Sequence, residues 1–239
     1  MTATMPLFEA DDAAEAASRE LLTPGAVLLR KHALPRQDAL LAALQHVLAA
    51  APLRHLITPG GYRMSVAMSN CGALGWVSDA GGYRYTALDP QTGRAWPSMP
   101  ACFLALAGEA AAQAGFDGFE PDACLVNRYE PGARLTLHQD RNEHDFSQPI
   151  VSVSLGLPAM FLFGGLRRAD KTLRVPLAHG DVVVWGGPAR LRYHGVSALK
   201  DGQHPSTGGC RINLTLRKAG GTDDEAGPAH RAHAPAPAR

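Results

Sequence analysis

Short runs of alternating apolar and polar residues follow one another along the second half of the chain. From residue 122 onward these runs are separated by Gly, Pro and Asn turn signals, a pattern that predicts strands rather than helices. The predicted strands are Leu125–Tyr129, Leu135–Asp140, Ile150–Leu157, Met160–Phe163, Leu173–Leu177, Asp181–Trp185, Leu191–His194 and Arg211–Arg217. Strands this short and closely spaced predict a double-sheet jelly roll or a barrel.

The first half of the chain has a different pattern. A first strand is predicted in residues 25–33. Apolar residues then recur at helical spacing over residues 36–51, and a second Ala-rich helix is predicted over residues 100–115. Residues 58–100 are rich in Gly, Ser, Thr and aromatic residues, which predicts short strands and long loops. We expect one domain over residues 21–218, a flexible segment over 1–20 and a disordered tail over 219–239.

Composition and charge narrow the function classes. The chain of 239 residues has a net charge of +1, which excludes a polycation, although residues 127–217 hold 12 Lys or Arg against 7 Asp or Glu. Its four cysteines form no C-x-x-C pair, so a zinc ribbon is not expected. The chain shows neither a signal-peptide pattern nor an apolar run of membrane-spanning length. We expect a cytoplasmic monomer with no membrane partner.

The strongest chemical signal is a pair of His residues and one carboxylate. His138 and Asp140 are two apart in a predicted strand, so they share a face, and His194 ends another predicted strand. Two His and one carboxylate from two strands match the facial triad of non-haem iron(II) oxygenases, which leaves positions open for a co-substrate and O2. A zinc hydrolase is the alternative for the same donor set.

The last predicted strand alternates strictly. Ile212, Leu214 and Leu216 form one face, and the polar residues between them form the other. Taken alone, this pattern is more typical of a half-exposed strand with a solvated polar face. In a jelly roll beside a metal triad, however, Arg211 and Arg217 would point inward and need anionic partners. Because Arg grips carboxylates in a bidentate fork, the combination points to a chelating dicarboxylate such as 2-oxoglutarate.

Several stretches of the chain resemble the AlkB family of oxygenases. They are TPGGYRMSVAMSNCGALGW, PDACLVNRYEPGARLTLHQD, PIVSVSLGLPAMFLFGGL, HGDVVVWGG and RINLTLR, and the resemblance extends from about residue 25 to residue 218. It implies a mainly β fold, a double-stranded β-helix with an N-terminal helical extension and a nucleotide-recognition lid. The lid would cover about residues 53–100 and the catalytic jelly roll about residues 122–218.

The resemblance also implies roles for the metal and co-substrate residues. By similarity, His138, Asp140 and His194 bind Fe(II), and together with Arg217 they form the catalytic set. The residues implied to hold 2-oxoglutarate are Arg211, Tyr129 and Asn213 at the distal carboxylate, and Arg217 and Asn127 at the end that chelates iron.

On the nucleotide side, the resemblance implies that Trp76 stacks on a flipped-out base, opposite the ring of His138. Tyr83 and Arg168 resemble contacts to the substrate nucleotide, with Thr58 and Met68 nearby in the lid. Taken without the resemblance, aromatic residues in a Gly-rich region are more typical of a small satellite core.

One position departs from the family pattern. The resemblance to the bacterial member of the family implies Asp two residues after the iron-ligand Asp, where it would approach the exocyclic amine of the base, whereas this chain has Asn142. Asn is neutral and can both donate and accept hydrogen bonds. We therefore expect the base preference or the pH dependence to differ, but not the reaction class.

The implied activity is oxidative demethylation of bases such as 1-methyladenine and 3-methylcytosine, with release of formaldehyde and conversion of 2-oxoglutarate to succinate and CO2. Fe(II), 2-oxoglutarate and O2 would be required, and the substrate would be single-stranded DNA or a flipped base in duplex DNA, with RNA as a further candidate. Two alternatives remain open: an oxygenase of the same fold acting mainly on RNA or protein, and a non-catalytic nucleic-acid-binding jelly roll.

Overall fold

Strands dominate the part of the chain that the structure describes, residues 18–220 of a computed structural model. Within these residues there are two α-helices, α1 (Gln37–Ala50) and α2 (Ala101–Gln113), both where the sequence predicts helices. The strands are β1 (Arg19–Thr23), β2 (Ala26–Leu29), β3 (Arg54–Ile57), β4 (Arg63–Gly72), β5 (Gly75–Asp79), β6 (Gly82–Thr86), β7 (Ala123–Tyr129), β8 (Leu135–His138), β9 (Ile150–Gly156), β10 (Ala159–Phe163), β11 (Leu173–Leu177), β12 (Val182–Trp185), β13 (His194–Val196) and β14 (Arg211–Arg217).

The strands form two main antiparallel sheets. The larger has the order β1-β2-β12-β9-β14-β7-β4-β3, and the smaller has the order β11-β10-β13-β8. One apolar cluster joins them: Leu28 and Trp185 of the larger sheet pack with Phe161, Phe163 and Leu177 of the smaller. The two sheets therefore cover each other, and the prediction of a double-stranded β-helix is confirmed.

The two helices cover the outer face of the larger sheet. Leu40 and Leu44 of α1 and Phe103 and Leu106 of α2 belong to one buried cluster with Leu214 of β14. The apolar face of β14 is thus turned toward the helices, which sends its polar face toward the space between the sheets. Within residues 18–220, no helix is long and apolar enough to cross a membrane.

Strands β5 and β6 form a two-stranded hairpin of their own. Trp96 packs against its base: a Cβ atom at Gly75 would overlap the indole ring, and the Trp96 indole N–H donates to the carbonyl of Thr86 at 2.9 Å. With β3 and β4, this hairpin makes up the strands in the segment expected to form a lid.

Two predicted strand boundaries around the metal triad are wrong. β8 ends at His138, so Asp140 lies just beyond the strand, and β13 begins rather than ends at His194. Residues 191–193 are held instead by a turn, in which the N–H of Arg192 donates to the carbonyl of Ala189. The buried side chain of Arg190 stabilises this turn by donating to the carbonyls of Gln148 and Asp140.

The two expected terminal segments lie largely outside the described residues. The first strand already begins at Arg19, inside the segment expected to be flexible. At the other end, the N–H groups of Ala219 and Gly220 donate to the carboxylate of Asp122 at 2.6 and 3.0 Å. Residues 1–17 and 221–239 are outside the described residues.

Candidate metal and co-substrate site

The three predicted metal ligands converge on one point. His138 and His194 are directly opposite each other in the β8–β13 pair, and their ring centroids are 4.4 Å apart. The Asp140 carboxylate reaches both rings, with 3.6 Å from Oδ1 to His138 Nε2 and 3.6 Å from Oδ2 to His194 Nε2. One donor atom from each residue lies within 4.8 Å of the others. This arrangement can hold one metal ion.

Each imidazole is held in the tautomer that a metal needs. His138 Nδ1 lies 2.9 Å from the carbonyl of Thr136, and His194 Nδ1 lies 3.0 Å from that of Arg192. A carbonyl only accepts, so Nδ1 carries the proton and Nε2 presents its lone pair to the centre of the triad. Burial, with His138 nearby, lowers the pKa of His194 to about 4, which keeps this ring neutral.

Asp140 is available as an anion. Burial alone would raise the pKa of its carboxyl group, but the Arg217 guanidinium outweighs burial and holds the pKa well below its ordinary value. Two neutral nitrogens and one carboxylate oxygen therefore face one another, which is the donor set of a 2-His-1-carboxylate iron site. The residues present fit Fe(II).

Next to the triad, the polar face of β14 is buried between the sheets. Arg211 is 2% exposed and donates from Nη2 to Ser154 Oγ at 2.9 Å, while its guanidinium lies 5.0 Å from the ring centroid of Tyr129. Among residues 18–220, its Nε and Nη1 atoms have no hydrogen-bond partner, and neither has Oδ1 of the buried Asn127. Burial lowers the pKa of Arg211. A buried cation with spare donors fits the carboxylate of an anionic ligand.

The other polar residues of β14 make bonds within the protein. Arg217 donates from Nε and Nη2 to Asp140 Oδ2 at 3.0 and 2.8 Å. Asn213 donates to Ser152 Oγ and the carbonyl of Val153, and its Oδ1 accepts from Thr215 Oγ1 at 2.8 Å. Arg217 therefore links the polar face of β14 to the metal triad.

The sequence analysis missed a buried carboxylate beside the triad. Glu143 is 5% exposed and forms ion pairs with Arg190 at 3.2 Å and Arg217 at 3.4 Å, and it accepts a hydrogen bond from the Tyr85 hydroxyl at 2.7 Å. The segment around Glu143 looks like an exposed turn, so its sequence gave no sign of burial. Ser154 was also missed, although a serine repeated among apolar residues in IVSVSLGL is a usable signal.

The predicted nucleotide contacts divide into two groups. Trp76 and Tyr83 stack on each other, with ring centroids 5.6 Å apart and planes 13° apart, and the Trp76 indole N–H donates to Asn142 Oδ1 at 3.2 Å. Met68 and Trp76 also line a cleft of about 190 Å³. Asn142 lies two residues from Asp140, so Trp76 and Tyr83 are linked to the segment that follows this metal ligand, whereas none of the three metal ligands lines the cleft.

The second group lies on loops. Thr58 stands at the β3–β4 turn, where its Oγ1 accepts from the N–H of Tyr62 at 3.1 Å. Arg168 lies on the β10–β11 loop, with its guanidinium 5.1 Å from the ring centroid of Tyr193. The contacts of these two residues are with their own surroundings rather than with the triad.

Comparison with known proteins agrees with this site. Residues 25–217 match the family model of the 2OG-Fe(II) oxygenase superfamily. The "Alpha-ketoglutarate-dependent dioxygenase AlkB" of Salmonella typhimurium is 55% identical over 205 residues, which cover 86% of this chain and 95% of that protein. The mouse "Nucleic acid dioxygenase ALKBH1" is 37% identical over 98 residues, 41% of this chain and 25% of that one.

The fold agrees as well. The solved structure of OsALKBH1 superimposes with a TM-score of 0.74 at 30% identity, covering 84% of this chain and 100% of that one. The chain thus belongs to the AlkB family of the 2OG-Fe(II) oxygenase superfamily and is an iron(II)- and 2-oxoglutarate-dependent dioxygenase.

Proposed function

We propose that this protein removes methyl groups from N-alkylated nucleobases of nucleic acids by oxidation and so repairs them directly. The substrates would be bases of the 1-methyladenine and 3-methylcytosine type in DNA, with RNA as a further substrate. The observation that supports the proposal is the hydrogen bond from Trp76 to Asn142, because it ties a stacked aromatic pair to a residue two positions after the metal-ligand candidate Asp140. The name of the mouse relative, a nucleic acid dioxygenase, supports the same substrate class.

In this proposal, His138, Asp140 and His194 hold Fe(II) through the lone pairs described above. Arg211 grips the distal carboxylate of 2-oxoglutarate with its spare Nε and Nη1 donors. Bound Fe(II) and 2-oxoglutarate would supply the oxidation of the N-methyl carbon by O2, giving succinate, CO2 and formaldehyde.

The remaining co-substrate residues frame this ligand. Tyr129 flanks the Arg211 guanidinium, and Asn213 lies between the two arginines on the same face of β14. Arg217 and Asn127 would hold the end of 2-oxoglutarate that chelates the metal. Asn127 would donate to that end from its side-chain NH2, because its Oδ1 can only accept.

The nucleobase would enter between the hairpin and the triad. A base paired within a duplex cannot reach a metal between two sheets, so it must flip out or come from a single strand. Trp76 and Tyr83 provide a stacking surface, and the buried Met68 belongs to the apolar cluster against which Trp76 packs. Residues 53–100 would act as the lid over the catalytic jelly roll of residues 122–218. Thr58 would contact the nucleotide from the β3–β4 turn of the lid, and Arg168 from the β10–β11 loop of the jelly roll.

We further propose that the protein is a cytoplasmic monomer. The four cysteines are free, three of them buried, which suits a reducing compartment. Size-exclusion chromatography with light scattering tests the monomer, and a mass near 50 kDa rather than the 25.3 kDa of one chain would refute it.

The decisive experiment is mass spectrometry of a short single-stranded DNA that carries one 1-methyladenine. The DNA is incubated in air with the protein, Fe(II), ascorbate and 2-oxoglutarate, and a parallel reaction omits 2-oxoglutarate. We expect loss of one methyl group in the complete reaction alone. His138→Ala should abolish it, whereas His46→Ala, the same change on the exposed face of α1, should not.

Two other outcomes separate the alternatives. Succinate formation without DNA demethylation would retain the oxygenase but redirect the substrate to RNA or protein, for which methylated RNA is the next test. Bound iron without any succinate would support the non-catalytic nucleic-acid-binding jelly roll.

A further inference from the structure

Two consecutive residues that follow the metal ligand Asp140 in the chain form hydrogen bonds with the β5–β6 hairpin. Asn142 accepts from the Trp76 indole N–H at 3.2 Å and donates from Nδ2 to the carbonyl of Tyr83 at 3.3 Å. Glu143 accepts from the Tyr85 hydroxyl at 2.7 Å. Both strands of the hairpin are therefore tied to the segment that follows the metal ligand Asp140.

This segment is firmly anchored in the core. The buried Glu143 carboxylate is paired with Arg190 and Arg217, the same two arginines that hold Asp140. Arg190 Nη1 donates to the Asp140 carbonyl at 3.1 Å, and Arg217 donates to its carboxylate. A shift of the hairpin would therefore also displace the loop that carries the metal ligand Asp140.

The hairpin depends on such side-chain contacts. A two-stranded ribbon is marginally stable by itself, and β5 and β6 pair with each other alone. Strands β4 and β3 supply some of these contacts: Asn70 exchanges two hydrogen bonds of 3.0 Å with the backbone of Trp76, and the carbonyl of Ile57 accepts from Ser78 Oγ at 2.7 Å. The segment after the metal ligand Asp140 supplies the others, through Asn142 and Glu143.

We infer that Asn142 and Glu143 are positioning residues, which clamp the β5–β6 hairpin and set Trp76 and Tyr83 for stacking on the nucleobase. This inference rests on the proposed function. The amide of Asn142 suits the task because it accepts from an indole N–H and donates to a main-chain carbonyl at once. A carboxylate there would keep the first contact, but it has no hydrogen to donate to the Tyr83 carbonyl.

The departure from the family pattern thus acquires a structural meaning. The Asp expected from the resemblance could not bond the Tyr83 carbonyl, and one of its oxygens could face the base. In Asn142, both the oxygen and the nitrogen of the amide bond the hairpin. Base recognition in this chain then relies on a hairpin whose orientation is set before the base enters, which lowers the ordering cost of stacking.

The test uses Tyr85→Phe and Asn142→Ala in the protein loaded with metal and 2-oxoglutarate. Tyr85→Phe removes one hydroxyl and keeps the ring, and Tyr62→Phe makes the same change at an exposed turn position, 78% exposed, as the matched control. We expect each clamp variant to raise KM for the 1-methyladenine oligonucleotide about 5-fold per lost hydrogen bond. KM for 2-oxoglutarate should move less than about 2-fold, since Arg211 is untouched.

Hydrogen exchange of residues 75–86 is the second readout. Exchange should be faster in Tyr85→Phe and Asn142→Ala than in the parent and in Tyr62→Phe, with Asn142→Asp between the parent and Asn142→Ala. Unchanged hairpin exchange in both clamp variants, or an equal rise of both KM values, would overturn the inference.

The two readouts distinguish this inference from the proposed function. If the parent protein does not demethylate the oligonucleotide, the proposed function fails. Hairpin exchange in the same variants would still show whether Asn142 and Glu143 form the clamp, and unchanged exchange would overturn the clamp as well.

Discussion

Replacing each arginine of β14 with methionine should change the stability of the ligand-free protein in opposite directions. Arg211 and Arg217 lie six residues apart on the same face of one strand, and both are buried. They differ in their partners. Arg217 neutralises two carboxylates, whereas two donor atoms of Arg211 have no partner among the described residues. Comparing the two substitutions therefore isolates the effect of the anionic partner that 2-oxoglutarate would give Arg211.

For Arg211→Met the expected change is a gain in stability without ligand. Each unsatisfied buried donor costs about 1–3 kcal/mol, so Nε and Nη1 together cost about 2–6 kcal/mol. Losing the bond to Ser154 Oγ offsets about 1 kcal/mol of this gain. The free energy of unfolding should therefore rise on the order of 1–5 kcal/mol.

For Arg217→Met the expected change is a loss. The substitution leaves the carboxylates of Asp140 and Glu143 buried without this cation, at 2.8 and 3.4 Å from where it stood. Breaking a buried ion pair by removing one partner costs about 3–5 kcal/mol. The free energy of unfolding should fall by a similar amount.

Urea unfolding monitored by circular dichroism measures both effects, first with a chelator, then with Mn(II) alone, and finally with Mn(II) and 2-oxoglutarate, so that the last step gives the increment from 2-oxoglutarate. In the parent, ligand at 100 times its Kd should add about 2.7 kcal/mol. In Arg211→Met the gain in unfolding free energy from 2-oxoglutarate should vanish. Arg211→Lys should weaken 2-oxoglutarate binding about 30-fold, because lysine lacks the second arm of the guanidinium fork. A less stable ligand-free Arg211→Met, or one stabilised by 2-oxoglutarate as much as the parent, would refute the reasoning.

Three further predictions concern the nucleotide side and a remote histidine. Trp76→Ala should raise KM for a methylated oligonucleotide about 10-fold, because base stacking contributes about 1–3 kcal/mol. Trp76→Phe should recover part of the lost affinity, and a KM of Trp76→Ala equal to that of the parent would argue against stacking. Arg168→Ala should weaken binding of all sequences alike and reduce the slope of log K against log salt by about 1, as measured by fluorescence anisotropy over a salt series. Burial and the neighbouring His204 lower the pKa of His179 below its ordinary 6.5, so below that pH the unfolded chain takes up a proton that the folded one resists. Stability should therefore fall as pH drops from about 6.5, and His179→Asn, which keeps an acceptor for the N–H of Gly156, should flatten this dependence in urea midpoints between pH 5 and 7.5.

The donor set of the metal site could be predicted from the sequence, but its geometry could not. The spacing of His138 and Asp140 suggested two side chains on one face of a strand, whereas the strand ends at His138. Asp140 reaches both imidazoles from a loop, held there by Arg190 and Arg217, which are 50 and 77 residues away in the chain. Local periodicity carries no information about contacts at that separation.

The burial of Glu143 likewise could not be predicted from the local sequence. Nothing in its immediate sequence marks it as buried, because its burial depends on Tyr85, Arg190 and Arg217, which come from three different elements. A carboxylate is rarely buried unless it is paired. Its role becomes visible only when the positions of all its partners are known.

The polar face of β14 shows what a pattern can and cannot decide. Alternation correctly identified which residues share a face, since that follows from the backbone alone. Whether a polar face meets solvent depends on what covers it, and on pattern alone the solvated reading was the better one. The second sheet covers this face, and all seven residues of β14 are buried. The metal triad favoured that outcome in advance, because an inward-facing Arg211 makes physical sense only beside a centre that binds an anionic ligand.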